Sequence, residues 1–301
     1  MTNKPNNYDL SIVIASIRPH YWNTVYNSLL GSCGKYKFEL IFVGPFEPPE
    51  NFVNNDTIKY IKDFGSVSRA AQIGANIATG KLFFSTVDDC FFIKNAVQET
   101  IDYYYGNCNK FDVVGMRFRE IKAGRLVFER PQIDNYPEYL SNLVNGCLTT
   151  NEPPFMNQPY PPAYWFFKGV PIAVQPFLDL NTFKEIGGWD CNYEYLCAPA
   201  ADLGIRLQNM GGRVLQSLVE ISLAEFWPEH SLDHKPIHDS TRSDEILFEQ
   251  LLPKLKSKTI IDFNNWEQSS EIWKKRFPNG KTLEYETMLT AIGGNYEKPQ
   301  L

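Results

Sequence analysis

Asp88 and Asp89 stand side by side after a short apolar run, Lys81 to Val87, and more apolar residues follow, Phe91 to Ile93. Adjacent carboxylates repel each other and resist burial unless a positive charge sits between or against them. At the carboxyl end of a buried strand the usual occupants are a divalent cation and a phosphorylated ligand. A solvated turn carrying two acids is the plainer alternative.

Three further blocks could carry chemistry. Just before the acidic pair, Gly65-Ser-Val-Ser-Arg69 opens a small-residue segment that ends at Ala78-Thr79-Gly80. A helix start beside an Arg suits an anion such as a phosphate, since backbone N–H groups and a guanidinium both favour one; plain helix capping accounts for it equally. Ile186-Gly-Gly-Trp-Asp190 precedes Asp202-Leu-Gly-Ile-Arg206 and Gly211. The glycine pair permits a close backbone approach, while Asp202 and Arg206, spaced i,i+4, could simply pair along a helix. His230, His234 and His238 fall within nine residues, although Pro236 interrupts any continuous helix there. Histidine is a common transition-metal ligand; loop histidines are the plainer reading. Trp165, Trp189 and the Tyr160–Tyr164 region offer faces for sugar rings, or belong to the core. There is no Gly-x-Gly-x-x-Gly and no Gly-x-x-x-x-Gly-Lys-Ser/Thr, so neither a dinucleotide fingerprint nor a P-loop is present.

The elements that must position these residues read as alternating strands and helices. Leu10–Ser16, Glu39–Val43, Ile58–Ile61 and Lys81–Val87 are apolar, strand-like runs. Tyr21–Leu30, Ser68–Ala78 and Asn95–Tyr105 have helical patterning, with Ser66 or Ser68 as the cap of the second. Such alternation predicts an α/β fold with a mostly parallel, helix-covered sheet. Phe111–Arg119 and Arg125–Phe128 predict a hairpin or mixed-sheet strands, and the proline-rich stretch 151–162 excludes regular structure. Ile172–Phe177 predicts a strand, Asn181–Ile186 a short helix, Ala200–Met210 an amphipathic helix and Arg213–Leu223 a last strand. Beyond Ser243 the pattern is helical, with Trp266 and Trp273, which predicts a main domain over 1–242 and a small helical appendage over 243–301.

Composition narrows the classes. With 301 residues, 43% of them hydrophobic, the chain can bury a substantial core. A net charge of −6 argues against nonspecific nucleic-acid binding, which needs a basic surface. No run approaches the roughly 20 apolar residues of a membrane span, and Met1–Asp9 lacks the apolar stretch of a signal peptide. A cytoplasmic protein is expected, with peripheral membrane contact left open. The six cysteines form no Cys-x-x-Cys pair and are expected to be reduced and mostly buried.

Taken in order, these blocks resemble the family 2 glycosyltransferases, enzymes of the GT-A fold. The matching residues are the Leu10–Ser16 strand, the Gly65–Arg69 turn with Ala78–Gly80, Asp88-Asp89 at the family's aspartate motif, Gly187-Gly188-Trp189-Asp190, and Asp202-Leu203 with Arg206 and Gly211. The match spans roughly residues 8 to 242. It implies a Rossmann-like GT-A sheet, a nucleotide-diphosphate-sugar donor (UDP-sugar favoured) and a divalent cation, manganese or magnesium. It implies that Ser16, Asp88 and Arg69 serve the nucleotide, with Asp88 facing the ribose. It gives the metal to Asp89, completed by His234 or else His230. The acceptor is open among a lipid-linked glycan, a polysaccharide, a protein and a small molecule, and the expected outcome is inversion.

Two positions depart from the family pattern. The second strand ends Val43-Gly44-Pro45, where base-recognising acids usually stand, so donor base specificity is open. Pro199 and Ala200 replace the Glu-Asp pair that usually holds the catalytic base. Asp202 is the first substitute, with Asp190 and Glu194 as others. Two competing functions follow: a noncatalytic nucleotide-sugar or glycan-binding module, motivated by the missing pair, and a nucleotidyltransferase. Against the latter, Ala15-Ser16-Ile17-Arg18-Pro19 lacks the glycines of the loop expected after its first strand.

Overall fold

The computed structural model describes residues 8–53, 55–122, 125–126, 166–226 and 241–257. Eleven strands occur among them: β1 (Leu10–Ala15), β2 (Phe38–Gly44), β3 (Ile58–Lys62), β4 (Leu82–Val87), β5 (Cys90–Phe92), β6 (Val113–Lys122), β7 (Arg125–Leu126), β8 (Phe166–Phe167), β9 (Val170–Pro171), β10 (Pro176–Asp179) and β11 (Val214–Phe226). The helices are α1 (Trp22–Ser32), α2 (Val67–Ile77), α3 (Ala96–Asn107), α4 (Leu180–Glu185), α5 (Cys197–Asn209) and α6 (Thr241–Lys256).

One sheet organises the molecule, in the order β3-β2-β1-β4-β10-β6-β11-β5, with β7 beside β6. The ladders joining β3, β2, β1 and β4 are all parallel, as is the long β6–β11 ladder, while β10 and β5 run antiparallel to their neighbours. This is the α/β, mostly parallel, helix-flanked sheet that the alternation predicts. Strand periodicity sorts the core into two layers. Ile12 and Ile14 pack with Trp22, Val25 and Leu29 of α1 and with Val97 and Ile101 of α3. Val13 faces the other way, against Ala70, Ala71 and Ala75 of α2, and joins the layer that holds α4, α5 and α6. With α1 on one face and α2 on the other, the chain winds outward in both directions from β1 and β4. The edge between those two strands is therefore the topological switch point, where open α/β sheets bind ligands.

Several boundaries differ from expectation for local reasons. Ser66 caps α2, its hydroxyl accepting from the Arg69 amide at 3.2 Å. α5 begins at Cys197, three residues before the apolar pattern suggests, because Pro199 falls in its first turn, where no backbone donor is required. Residues 172–175 are not strand; β10 starts at Pro176 after Gln175, whose φ of 50° breaks extended geometry. α6 straddles the expected boundary at 242/243 and packs on α5, with Phe248 fully buried in the shared core. No helix among the described residues is long and apolar enough to cross a membrane. The expectations for His230, His234, His238, Tyr160–Tyr164, Trp165, Trp266 and Trp273 fall outside the described residues.

Candidate functional site at the β1–β4 edge

β1 and β4 end together, Ala15 opposite Val87. The next residues, Ser16 to Arg18 and Asp88-Asp89, therefore meet at the switch point. Asp88 is 1% exposed and surrounded by donors. Its Oδ2 accepts from the Ser16 hydroxyl (2.7 Å), the Ile17 amide (2.7 Å) and the Arg18 amide (2.6 Å). Its Oδ1 pairs with the Arg18 guanidinium at 2.8 Å, and the same Arg18 nitrogen reaches Asp89 Oδ2 at 3.2 Å. The Trp22 indole donates to the Ser16 hydroxyl, so the loop after β1 is clamped from two sides. Burial alone pushes the Asp88 carboxyl up; the Arg18 charge, the Ser16 hydroxyl and the two amides outweigh it and hold the pKa below the usual range.

The positive charge that the acidic pair demands is thus internal. Arg18 is 1% exposed, and neither acid sits in a solvated turn. In the sequence Arg18 stands out only as part of the glycine-poor loop after the first strand. The signal was nonetheless present, because in a sheet that places β1 beside β4 the basic residue just past β1 is the nearest counter-charge for acids just past β4.

A cavity opens at this edge, lined by Ser16, Arg18, Asp88, Gly44, Pro45 and Asp63, with Val67 and Ala70 from the start of α2. Gly44 is required here: a Cβ would overlap the Ser16 carbonyl oxygen. Asp63, one residue past β3, is the acid that the sequence reading overlooked. Its carboxylate accepts from Arg69 Nε (3.1 Å) and Nη2 (3.0 Å) and from the Gly65 amide (2.8 Å). Ser16 and Asp88 are therefore brought together on the cavity wall, and Arg69 is linked to that wall through Asp63.

The remaining candidates form a second group under α5. Asp202 is fully buried, its Oδ1 paired with Arg206 Nε at 2.6 Å and its Oδ2 without a hydrogen-bond partner. Burial pushes this carboxyl up; Arg206 opposes the shift, the charge of Asp190 adds to it, and the pKa ends above the usual range. Arg206 continues to the carbonyls of Ile186 and Gly188, both at 2.7 Å. The Asp202–Arg206 pair thus anchors the Gly187-Gly188 turn. Gly188 has a φ of 70°, and a Cβ there would overlap the Gln72 side chain, which accepts from the Trp189 amide at 2.7 Å. Asp190 is buried and accepts from the amide and side chain of Asn192, both at 2.9 Å. Asp244 of α6 accepts from the Glu194 and Tyr195 amides, at 3.0 and 2.7 Å, tying the C-terminal helix to this loop.

A resident divalent ion needs more than these residues supply. Asp88 is committed to the β1 loop, Asp89 already touches Arg18, and no group of three His, Cys, Asp or Glu among the described residues could hold a metal ion.

No protein-family profile and no curated protein matches the chain. Among solved structures it is similar to S. aureus TarS 1-349 in complex with UDP (TM-score 0.48, 11% identity, 83% of this chain and 72% of that one). It is similar also to S. aureus TarS 1-349 in complex with UDP-GlcNAc (TM-score 0.49, 10% identity, 83% and 73%). It is similar as well to S. aureus TarS, with a TM-score of 0.45 and 12% identity over 83% of this chain and 43% of that one. At such scores the sheet itself, not the likeness, carries the fold assignment.

Proposed function

We propose that this chain is a glycosyltransferase of the GT-A type that moves a sugar from a nucleotide-diphosphate-sugar, a UDP-sugar first, to an acceptor hydroxyl with inversion. The observation that carries the reading is the cavity at the β1–β4 switch point, where a clamped Ser16–Asp88 pair faces the first turn of α2. Asp88 holds Ser16 and the loop after β1 in place, and the ribose is assigned to the cavity wall that this clamp shapes. The N-terminus of the 11-residue α2 directs its dipole and amides toward an anion such as the diphosphate. Asp63, with Arg69 behind it, stands where base-recognising acids would otherwise come from β2. The test is a thermal-shift panel of UDP-, GDP-, dTDP- and CMP-sugars with and without manganese, because ligand binding to the native state raises its stability. UDP-sugars should give the largest shift, and no shift with any nucleotide would remove the reading.

A manganese or magnesium ion belongs to the same proposal, held by Asp89 with His234 or His230. When bound, it would neutralise charge on the leaving diphosphate. Its measurement is Asp89→Ala, which should abolish manganese-dependent UDP binding while leaving the thermal midpoint of the free protein nearly unchanged. For the base that accepts the acceptor's proton, Asp202 and Asp190 are the two candidates, both buried; the one that serves should, when changed to Asn, stop turnover yet keep UDP binding. Family 2 membership, a hexose as the transferred group, a glycan, lipid-linked or protein acceptor, and a main domain over 1–242, joined through α6 to a C-terminal extension, complete the proposal. The setting is cytoplasmic, which suits its buried free thiols Cys33, Cys90 and Cys191.

A second reading, a noncatalytic nucleotide-sugar-binding module, is favoured by one observation. Ala200, at the position where a carboxylate is usual, lines a hollow beside Val87. Tight UDP-sugar binding with no turnover across an acceptor panel would select that reading.

A further inference from the structure

The segment that carries Asp190 is gripped at a single peptide unit. The Gly188 carbonyl accepts from Arg206 Nη2 at 2.7 Å, and the Trp189 amide donates to Gln72 Oε1 at 2.7 Å. Those two groups are the opposite poles of one peptide plane, so α5 holds it from one side and α2 from the other. The fit is close. Gly188 has a φ of 70°, and a Cβ on it would overlap the Gln72 side chain. Gln72 is buried, and its helix is seated tightly on the sheet, where a Cβ on Gly74 would overlap Val13 of β1.

Each side of this brace leads to a site. Gln72 lies in α2, whose first turn, with Val67 and Ala70, lines the cavity at the β1–β4 edge. On the other side, Asp190 follows Trp189 directly in the chain, and Arg206 also holds Asp202 Oδ1 at 2.6 Å. Whichever of these two acids serves as base, its position is set relative to the 188–189 peptide.

We propose that Gln72 is a positioning residue: through the 188–189 peptide it ties the two acids to the helix that faces the nucleotide, so that nucleotide occupancy steadies them. The inference rests on the nucleotide reading of the cavity. The coupling is linkage. Opening the Trp189 amide to solvent breaks its bond to Gln72 and loosens α2, which forms part of the cavity wall. A ligand that binds only the closed form makes that opening rarer. With the ligand at ten times its dissociation constant, the closed form gains about elevenfold, which is the most by which exchange can slow.

The experiment is amide hydrogen exchange at Trp189 in the full chain, with and without UDP at ten times its dissociation constant. In the wild type UDP should slow the exchange by about five- to tenfold. Gln72→Leu keeps the bulk and removes the acceptor. It should bind UDP within about twofold of the wild type, as a residue outside the cavity wall does, while UDP slows Trp189 exchange by less than about twofold. Gln72→Glu returns an acceptor oxygen to the same place and should restore most of the slowing, which a side chain that only fills space would not do. Gln72→Asn draws the oxygen back by one methylene; it is the gentler variant should the Leu protein not fold, and should respond between Leu and wild type. Full slowing in Gln72→Leu or Gln72→Asn, or none in a wild type that binds UDP, overturns the positioning role and leaves the nucleotide cavity standing. Loss of UDP affinity in both variants makes Gln72 a part of the cavity's own structure and overturns the role equally. A wild type that binds no UDP overturns the nucleotide reading and this inference with it.

Discussion

The two groups of buried acids in this protein are solved in opposite ways. At the β1–β4 edge, Asp88 gathers a guanidinium, a hydroxyl and two amides, and its charged form is stabilised. Under α5, Asp202 has one oxygen paired and one without a partner, the Tyr193 hydroxyl is likewise unpartnered, and the Asp202 carboxyl is pushed toward its neutral form. Burial is equally deep in both places, so depth does not separate them. The difference lies in the backbone. The loop after β1 turns its amides into the site, whereas Asp202 lies inside α5, where the amides around it are occupied by the helix. A strand edge can hold charge ready for a ligand; a helix interior holds it only through a side-chain partner such as Arg206.

The largest effect that would test this contrast is Arg18→Met. Both acids would stay buried without their counter-charge, a loss of about 3–5 kcal/mol, read by urea denaturation, with Arg18→Lys retaining part of it. If Arg18→Met unfolds at the wild-type urea midpoint, the internal-cation account of this edge is wrong.

The second effect has a sign that differs between the regions. Asp88 has a lowered folded pKa, so its contribution to stability is present above the unfolded carboxyl value of about 3.9 and is lost as pH falls through the folded pKa. Asp202 has a raised folded pKa, so its contribution falls as pH rises above that same unfolded value. Asp202→Asn should therefore cost about 1–2 kcal/mol near pH 4, and progressively less as the pH rises toward neutrality. Asp88→Asn should show the reverse trend, costing more at neutral pH than at pH 3. Parallel trends in the two denaturation series would erase the contrast.

The smallest effect is Tyr193→Phe. Removing a hydroxyl that has no partner should leave stability unchanged or raise it by up to about 1 kcal/mol. A clear loss of stability would mean that this hydroxyl is satisfied after all.

Much of the scaffold was legible in the sequence, because its signals are local. The runs at Leu10, Glu39 and Lys81 alternate between two buried layers, and Ser66 announces α2 as a cap does. The acidic pair was legible because two neighbouring carboxylates in an apolar setting need an explanation wherever they lie. What was not legible depends on strand order. Arg18 and Asp88 are 70 residues apart in the hydrogen bonds that join them, and only the placement of β1 beside β4 makes them partners. Asp63 was missed for the same reason: it follows β3, yet it lines the cavity together with residues past β1 and β4. The i,i+4 spacing of Asp202 and Arg206 allowed either a helix-surface pair or a catalytic acid; burial by α5 and its neighbours produced a pair that is neither exposed nor open.

The most direct measurement of the central claim is calorimetric titration of UDP into the wild-type chain and into Asp88→Asn. The account predicts saturable binding to the wild type and affinity at least about tenfold lower in the variant, since the amide weakens the clamp on the loop that shapes the cavity. Equal affinity in the two proteins, or no binding to either, would contradict it.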